Sequence, residues 1–149
     1  MTIIRNLLVP LDGTDLSERA MRESIELARQ LGAAITGFVA EPDLPLPNMG
    51  TNMERYKKER DAHEVDTDTH AHALLAQFGE RAQRSGVAFT ARHLRTDRVA
   101  DAIIELAEQL EDGAIVMVTH GRGAFAGLLF GSHTKTVMER TKVPLLVLH

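Results

Sequence analysis

Two places in this 149-residue chain carry residues that could do chemistry. The first is Pro10-Leu11-Asp12-Gly13-Thr14, a turn bearing a carboxylate directly after an apolar run. The second is the stretch 114–140, AIVMVTHGRGAFAGLLFGSHTKTVMER. Its first five residues are apolar and read as a buried strand. Glycines follow at Gly121, Gly123, Gly127 and Gly131, and Ser132 opens a run that can be helical as far as Arg140. Glycine lets a backbone approach a ligand closely. The first turn of a helix offers free N–H groups and a positive dipole end to an anion. Strand, glycine-rich loop and helix together form a cradle for a phosphate-bearing ligand.

Known phosphate motifs do not fit this cradle well. A Walker A loop needs Gly-Lys-[Ser/Thr], and Gly131 is followed by Ser132-His133. The run Gly121-Arg122-Gly123-Ala124-Phe125-Ala126 spells part of a dinucleotide fingerprint. The acidic residue expected some twenty positions on is missing, and the run 132–140 reads as helix instead. Ser132 lies outside a G-x-S-x-G elbow, and no His or Asp can be assigned to it, so no catalytic residue is expected. His63, Asp66 and His70 recur at i, i+3 and i+7 with His72 nearby, a set zinc would accept. A solvated polar helix face explains them as well, and no metal is expected. His120 and His133 flank the loop and can touch a phosphate or simply face solvent.

Regular alternation of strands and helices must position these groups. Residues 6–9, with Ile3 and Ile4 before them, read as a first buried strand ending at Pro10. A helix capped by Asp15 or Ser17 follows and stops at Gly32. Residues 34–40 form a second strand. Pro42, Pro45 and Pro47 then forbid regular structure, and the region 41–55 has so little to bury that it should be mobile without ligand and more ordered with it. A long helix should run from about Met53 to Arg84, with Ala71, Leu74, Leu75 and Phe78 as its core stripe. A strand over 87–94, a helix capped by Asp97 and closed by Gly113, the strand at 114, the helix from Ser132 and a strand over 143–148 complete the chain. This pattern predicts one α/β domain over 1–149, an open parallel sheet with helices on both faces. Ligands in such folds bind beyond the carboxyl ends of the strands, where Asp12 and Thr119-His120-Gly121 would lie.

Composition narrows the partners. The chain has no cysteine, which excludes disulfides and thiolate sites. A net charge of −4 argues against nucleic acid or anionic membrane as partner. No secretory signal or membrane-length apolar run is visible, so a cytoplasmic protein is expected.

Three segments, LLVPLDGTDLSERAM, VTHGRGAFAGLLFGS and TKVPLLVL, resemble the universal stress protein family, and the likeness extends essentially end to end. The nucleotide-binding branch of that family carries G-x2-G-x9-G-[ST]. Gly121, the nine residues 122–130 and Gly131-Ser132 match its second part, while Val118 stands where its first glycine would be. The resemblance implies a five-stranded sheet of order 3-2-1-4-5, of the adenine nucleotide alpha hydrolase-like type. It implies that Asp12 accepts hydrogen bonds from ribose hydroxyls, which suits an acceptor-only carboxylate. Backbone around Val39 would meet adenine beside Pro10 and Leu11, with Met117 and Val118 on the ribose side. Gly121, Gly131, Ser132, His133 and Thr134 would hold phosphates, with Arg122 added as a counter-charge. The implied ligand is ATP or another adenine nucleotide, with magnesium. The implied protein is a stress sensor or adaptor, dimeric through the last strand (Val143 at its start, Leu148 at its end), acting on a further protein partner. A ligand-free dimeric adaptor and a slow nucleotide hydrolase remain as alternatives. A branched side chain at 118 would weaken binding if it entered the site, and would cost nothing if it joined the sheet's packing.

Overall fold

The computed structural model describes residues 3–119 and 132–149. Five parallel strands carry the fold: β1 (Asn6–Leu11), β2 (Ala34–Glu41), β3 (Phe89–Arg95), β4 (Gly113–Val118) and β5 (Leu145–Leu148). They lie in the order β3-β2-β1-β4-β5 expected from the resemblance. Four helices connect them: α1 (Asp15–Leu31), α2 (Met53–Arg84), α3 (Val99–Gln109) and α4 (Ser132–Arg140). No helix among the described residues is long and apolar enough to cross a membrane.

Side-chain alternation along the strands divides the core into two layers. Leu7, Val9 and Leu11 of β1, Ile35 and Val39 of β2, and Ala114 and Val116 of β4 pack against α1 and α2. Leu8, Phe38 and Ile115 point the other way, against Ile103, Leu106 and Ala107 of α3 and Val137 of α4. The ion pair of Arg140 with Asp101 ties α4 to α3.

The long helix has the bounds its sequence suggests, with Asn52 as cap accepting from Glu54 N at 3.0 Å. Ala71, Leu75 and Phe78 form its buried stripe, and Leu74 packs at the margin. Phe89 of β3 fills a slot between two glycines. A Cβ on Gly37 would stand 2.8 Å from its ring, and one on Gly79 would stand 3.0 Å away. Phe78 closes the slot at a ring-centroid distance of 5.0 Å.

Several local expectations need correction. β1 does not end at Pro10 but runs through it to Leu11. From Val9 onward β1 pairs with β2 alone, a setting that tolerates a residue lacking N–H. Thr14, not Asp15 or Ser17, caps α1, accepting from Leu16 N at 3.3 Å; Asp15 instead sits in the first turn, where the dipole favours it. Asp97 does not cap α3, because its carboxylate is occupied by Asp43 N at 3.3 Å. β3 begins at Phe89 because Val87 N is still bonded to Ala82 O, closing α2. Gly113 opens β4 rather than closing α3, whose C-cap is Leu110. Val143 precedes β5, which begins at Leu145.

Candidate functional site

The sheet opens at the point where its strand order reverses. β1 and β4 are paired only from Asn6↔Gly113 to Leu8↔Ile115. Beyond that, β1 follows β2 as far as Leu11↔Val39, and β4 follows β5 as far as Val118↔Leu148. The carboxyl ends of β1 and β4 therefore part and leave a crevice between them.

Asp12 stands on the β1 side. Its Oδ1 accepts from Thr14 N at 3.0 Å, from Thr14 Oγ1 at 2.6 Å and from Ser17 Oγ at 3.4 Å. These bonds hold the turn, and Oδ2 makes no hydrogen bond among the described residues. Gly13 next to it has φ +80°, a left-handed conformation that favours glycine, and a Cβ there would stand 2.6 Å from His70 Nε2 and push that exposed ring aside. Leu11 and Val39 are buried and can meet a ligand only through backbone, while Pro10 is half-buried.

The β4 side carries Met117 and Val118, both half-buried and on opposite faces. Met117 packs toward α3 and α4. Val118 continues the series Ala114, Val116 and packs toward α1 and α2. Thr119 is buried, and its carbonyl accepts from Arg19 Nη1 at 3.3 Å. Ser132 and His133 are exposed in the first turn of α4. Thr134 is buried with Val137 on the inner side of α4, so its contribution to an anion would be its N–H. Gly121, Arg122 and Gly131, with His120, lie outside the described residues.

The histidine series on α2 does not converge on one point. His63 Nε2 meets Pro42 O at 3.0 Å, His70 covers Gly13, and His72 meets the His93 ring edge-on at 4.7 Å. A different cluster, not evident in the sequence, lies at the ends of β2 and β3. Arg95 Nη2 is 2.8 Å from Glu41 Oε2 and 2.8 Å from Asp68 Oδ1, and Arg95 Nη1 reaches Pro42 O at 3.1 Å. No local pattern announces it, since its members come from β2, α2 and β3.

Burial pushes the Glu41 carboxyl up to about 7, helped by a hydrogen bond to Asp68 and opposed by Arg95. Asp68 is held low, first by the hydrogen bond from Glu41 and then by Arg95. A raised carboxyl favours folding below its unfolded value, and that contribution is lost as pH rises through about 7. Glu41→Gln should therefore lose little stability near pH 6 and gain relative to wild type near pH 8.5. Thermal melts of both proteins across that range would show it, and parallel melting curves at every pH would refute it.

A groove of about 620 Å³ between α1 and α2 lies away from the crevice. Arg22, Arg29, Arg81 and Arg84 outnumber Glu23 and Glu26 along it; Arg29 pairs with Glu26, and Arg81 with Glu18 outside the lining.

The sequence model of the Universal stress protein family matches residues 4–149. Universal stress protein MT1672 of Mycobacterium tuberculosis is 26% identical over 149 residues, covering 100% of this chain and 99% of that protein. A universal stress protein solved in complex with cAMP superimposes with a TM-score of 0.67 at 23% identity, covering 99% of this chain and 98% of that one. The universal stress protein of Archaeoglobus fulgidus in complex with dAMP gives 0.60 at 20% identity, covering 100% of both chains.

Proposed function

The chain belongs to the universal stress protein family, and on that premise we propose that it binds an adenine nucleotide, ATP foremost, between the carboxyl ends of β1 and β4. The observation that carries this reading is the parting of β1 from β4 after Leu8↔Ile115, with an unengaged oxygen of Asp12 beside it. Asp12 Oδ2 would accept from the ribose hydroxyls, and the N–H groups opening α4 at Ser132, His133 and Thr134 would face phosphate. Gly121, Gly131 and Arg122 would complete the anion site, with magnesium on the phosphates. Backbone at Val39, beside Pro10 and Leu11, would meet adenine, and Met117 would border the ribose. The packing of Val118 against the α1–α2 layer supports this, because its backbone remains available to a ligand. Two solved proteins of the same fold hold cAMP and dAMP, which are adenine mononucleotides.

In this reading the protein is a cytoplasmic sensor or adaptor in the stress response. Its output is ligand state, read by a partner protein, and it needs no catalytic residue. Mass spectrometry of small molecules released by denaturing the purified protein tests the reading directly. Adenine nucleotide at near-stoichiometric amount is expected. Its absence, with no calorimetric binding of ATP and magnesium at millimolar concentration, would leave a ligand-free adaptor in its place.

The same reading includes a homodimer formed through β5. That strand ends the sheet, and its outer edge has no partner among the described residues. Uncovered apolar edges invite pairing, and all four residues of β5 are half-buried hydrophobics. Light scattering should give a dimer at micromolar concentration. Leu146→Lys should shift it to monomer while keeping the circular dichroism of the folded chain; an unshifted dimer would remove β5 as the interface.

A further inference from the structure

We propose that Glu41, Asp68 and His93 bind a divalent cation of the zinc class (zinc, cobalt or nickel) at the corner between β2, β3 and α2. One donor atom from each of the three lies within 4.8 Å of the others. Strand register explains the convergence. His93 pairs with Val39 and Arg95 with Glu41, so all four share the face that Val39 turns toward α2, where Asp68 waits.

The cluster has more acceptors than donors. The Nη2 of Arg95 carries two hydrogens. Four acceptors crowd it: Glu41 Oε2 at 2.8 Å, Asp68 Oδ1 at 2.8 Å, Thr67 Oγ1 at 3.0 Å and Glu64 O at 3.3 Å. Thr67 Oγ1 and Glu64 O are served elsewhere, since Thr67 Oγ1 donates to Glu64 O at 3.2 Å, but they compete with the two carboxylates for those hydrogens. Among the described residues Glu41 Oε1 accepts no hydrogen bond, although the Glu41 side chain is only 2% exposed. A buried carboxylate oxygen without a donor is costly. Three carboxylates, Glu41, Asp68 and Asp43, lie within 4.0 Å of the one Arg95 guanidinium, and the corner is short of positive charge. A metal ion or a proton would correct that deficit.

The donor set selects the kind of ion. One imidazole nitrogen with two carboxylate oxygens suits zinc and its neighbours, whereas calcium and magnesium prefer oxygen alone. Arg95 then acts from outside the ligand set, holding both carboxylates in place, and its charge moderates the affinity. His72, edge-on to His93 at 4.7 Å, steadies the ring. The bound ion would pin α2 to the sheet immediately before the proline-rich 42–52 segment.

Cobalt(II) titration of the full chain without nucleotide tests this, followed by absorption and calorimetry, with zinc as competitor. One ion per chain with visible d–d bands is expected. His93→Gln and Asp68→Asn should each weaken binding at least about tenfold. A His63→Gln/His70→Gln double variant and Asp12→Ala should leave it unchanged, which separates this site from the nucleotide crevice. If Asp68→Asn fails to fold, His93→Gln on the exposed strand β3 still decides. No binding at millimolar cobalt, or full binding by His93→Gln, would overturn the proposal and leave a shared proton as the whole content of the corner.

Discussion

Truncating Phe78 to alanine should destabilise the protein by about 3–5 kcal/mol, a large part of the roughly 5–15 kcal/mol that holds a domain of this kind together. Phe78 is fully buried at the centre of the α2 stripe. It also forms one wall of the slot that holds Phe89, whose other walls are the bare Cα atoms of Gly37 and Gly79. Those backbones cannot close in to refill the space, because Phe89 already touches both. The cavity therefore persists and its full cost is felt. Phe78→Leu keeps most of the volume and should lose about 1.5 kcal/mol or less. Urea denaturation followed by circular dichroism measures both. A loss under about 1 kcal/mol for the alanine variant would mean that α2 and β3 re-seat freely, contrary to the interlock.

Changing Asp12 should have the largest effect on ligand binding. Removal of a charged acceptor from two ribose hydroxyls costs about 1.5–3 kcal/mol, or roughly 10- to 150-fold in affinity. Asp12→Ala also strips the turn of the acceptor used by Thr14 and Ser17, so part of its loss could reflect a disordered turn. Asp12→Asn separates the two. Its amide oxygen can replace Oδ1 in the turn, while its NH₂ group replaces the free Oδ2 and can no longer accept. Calorimetry should then show nearly the same loss of ATP affinity in both variants. Inorganic phosphate binding should stay unchanged, since the anion site belongs to the α4 end. Wild-type ATP affinity in Asp12→Asn would take Asp12 out of the ribose site.

Elements governed by local rules could be read from the sequence. Gly32 after a periodic run marked the end of α1, since capping is a matter of adjacent residues, whereas Asn52, directly before Met53, was not read as the cap of α2. Strand order was not a local matter and came from the family likeness. Pro10 misled because proline usually ends a strand, and only the departure of β4 shows why it can stay. Gly37 and Gly79 have no role that local sequence discloses; it appears only when Phe89 is set between them. The Arg95 corner was invisible for the same reason, as Glu41 and Arg95 stand 54 positions apart. Of the crevice between β1 and β4, Asp12 was legible as a turn residue and Ser132 as the start of a helix. The side chain of Val118 could be oriented only after Ala114 and Val116 had fixed the face.

The length of α2 gives the molecule mechanical gain. Thirty-two helical residues span about 48 Å. Its buried stripe runs only from Ala71 to Ala82, with Gly79 seated on Phe89 as a fulcrum. Met53 lies about 39 Å from that fulcrum and Asp68 about 16 Å. A tilt that moves the backbone at Asp68 by a given distance thus moves Met53 more than twice as far. A cation at the Glu41 corner, or a nucleotide over Gly13 beneath His70, would if bound act on the short arm. The long arm ends in exposed Met53 and carries exposed Val65. A small displacement of the helix near Asp68 would therefore be larger at its exposed N-terminal end.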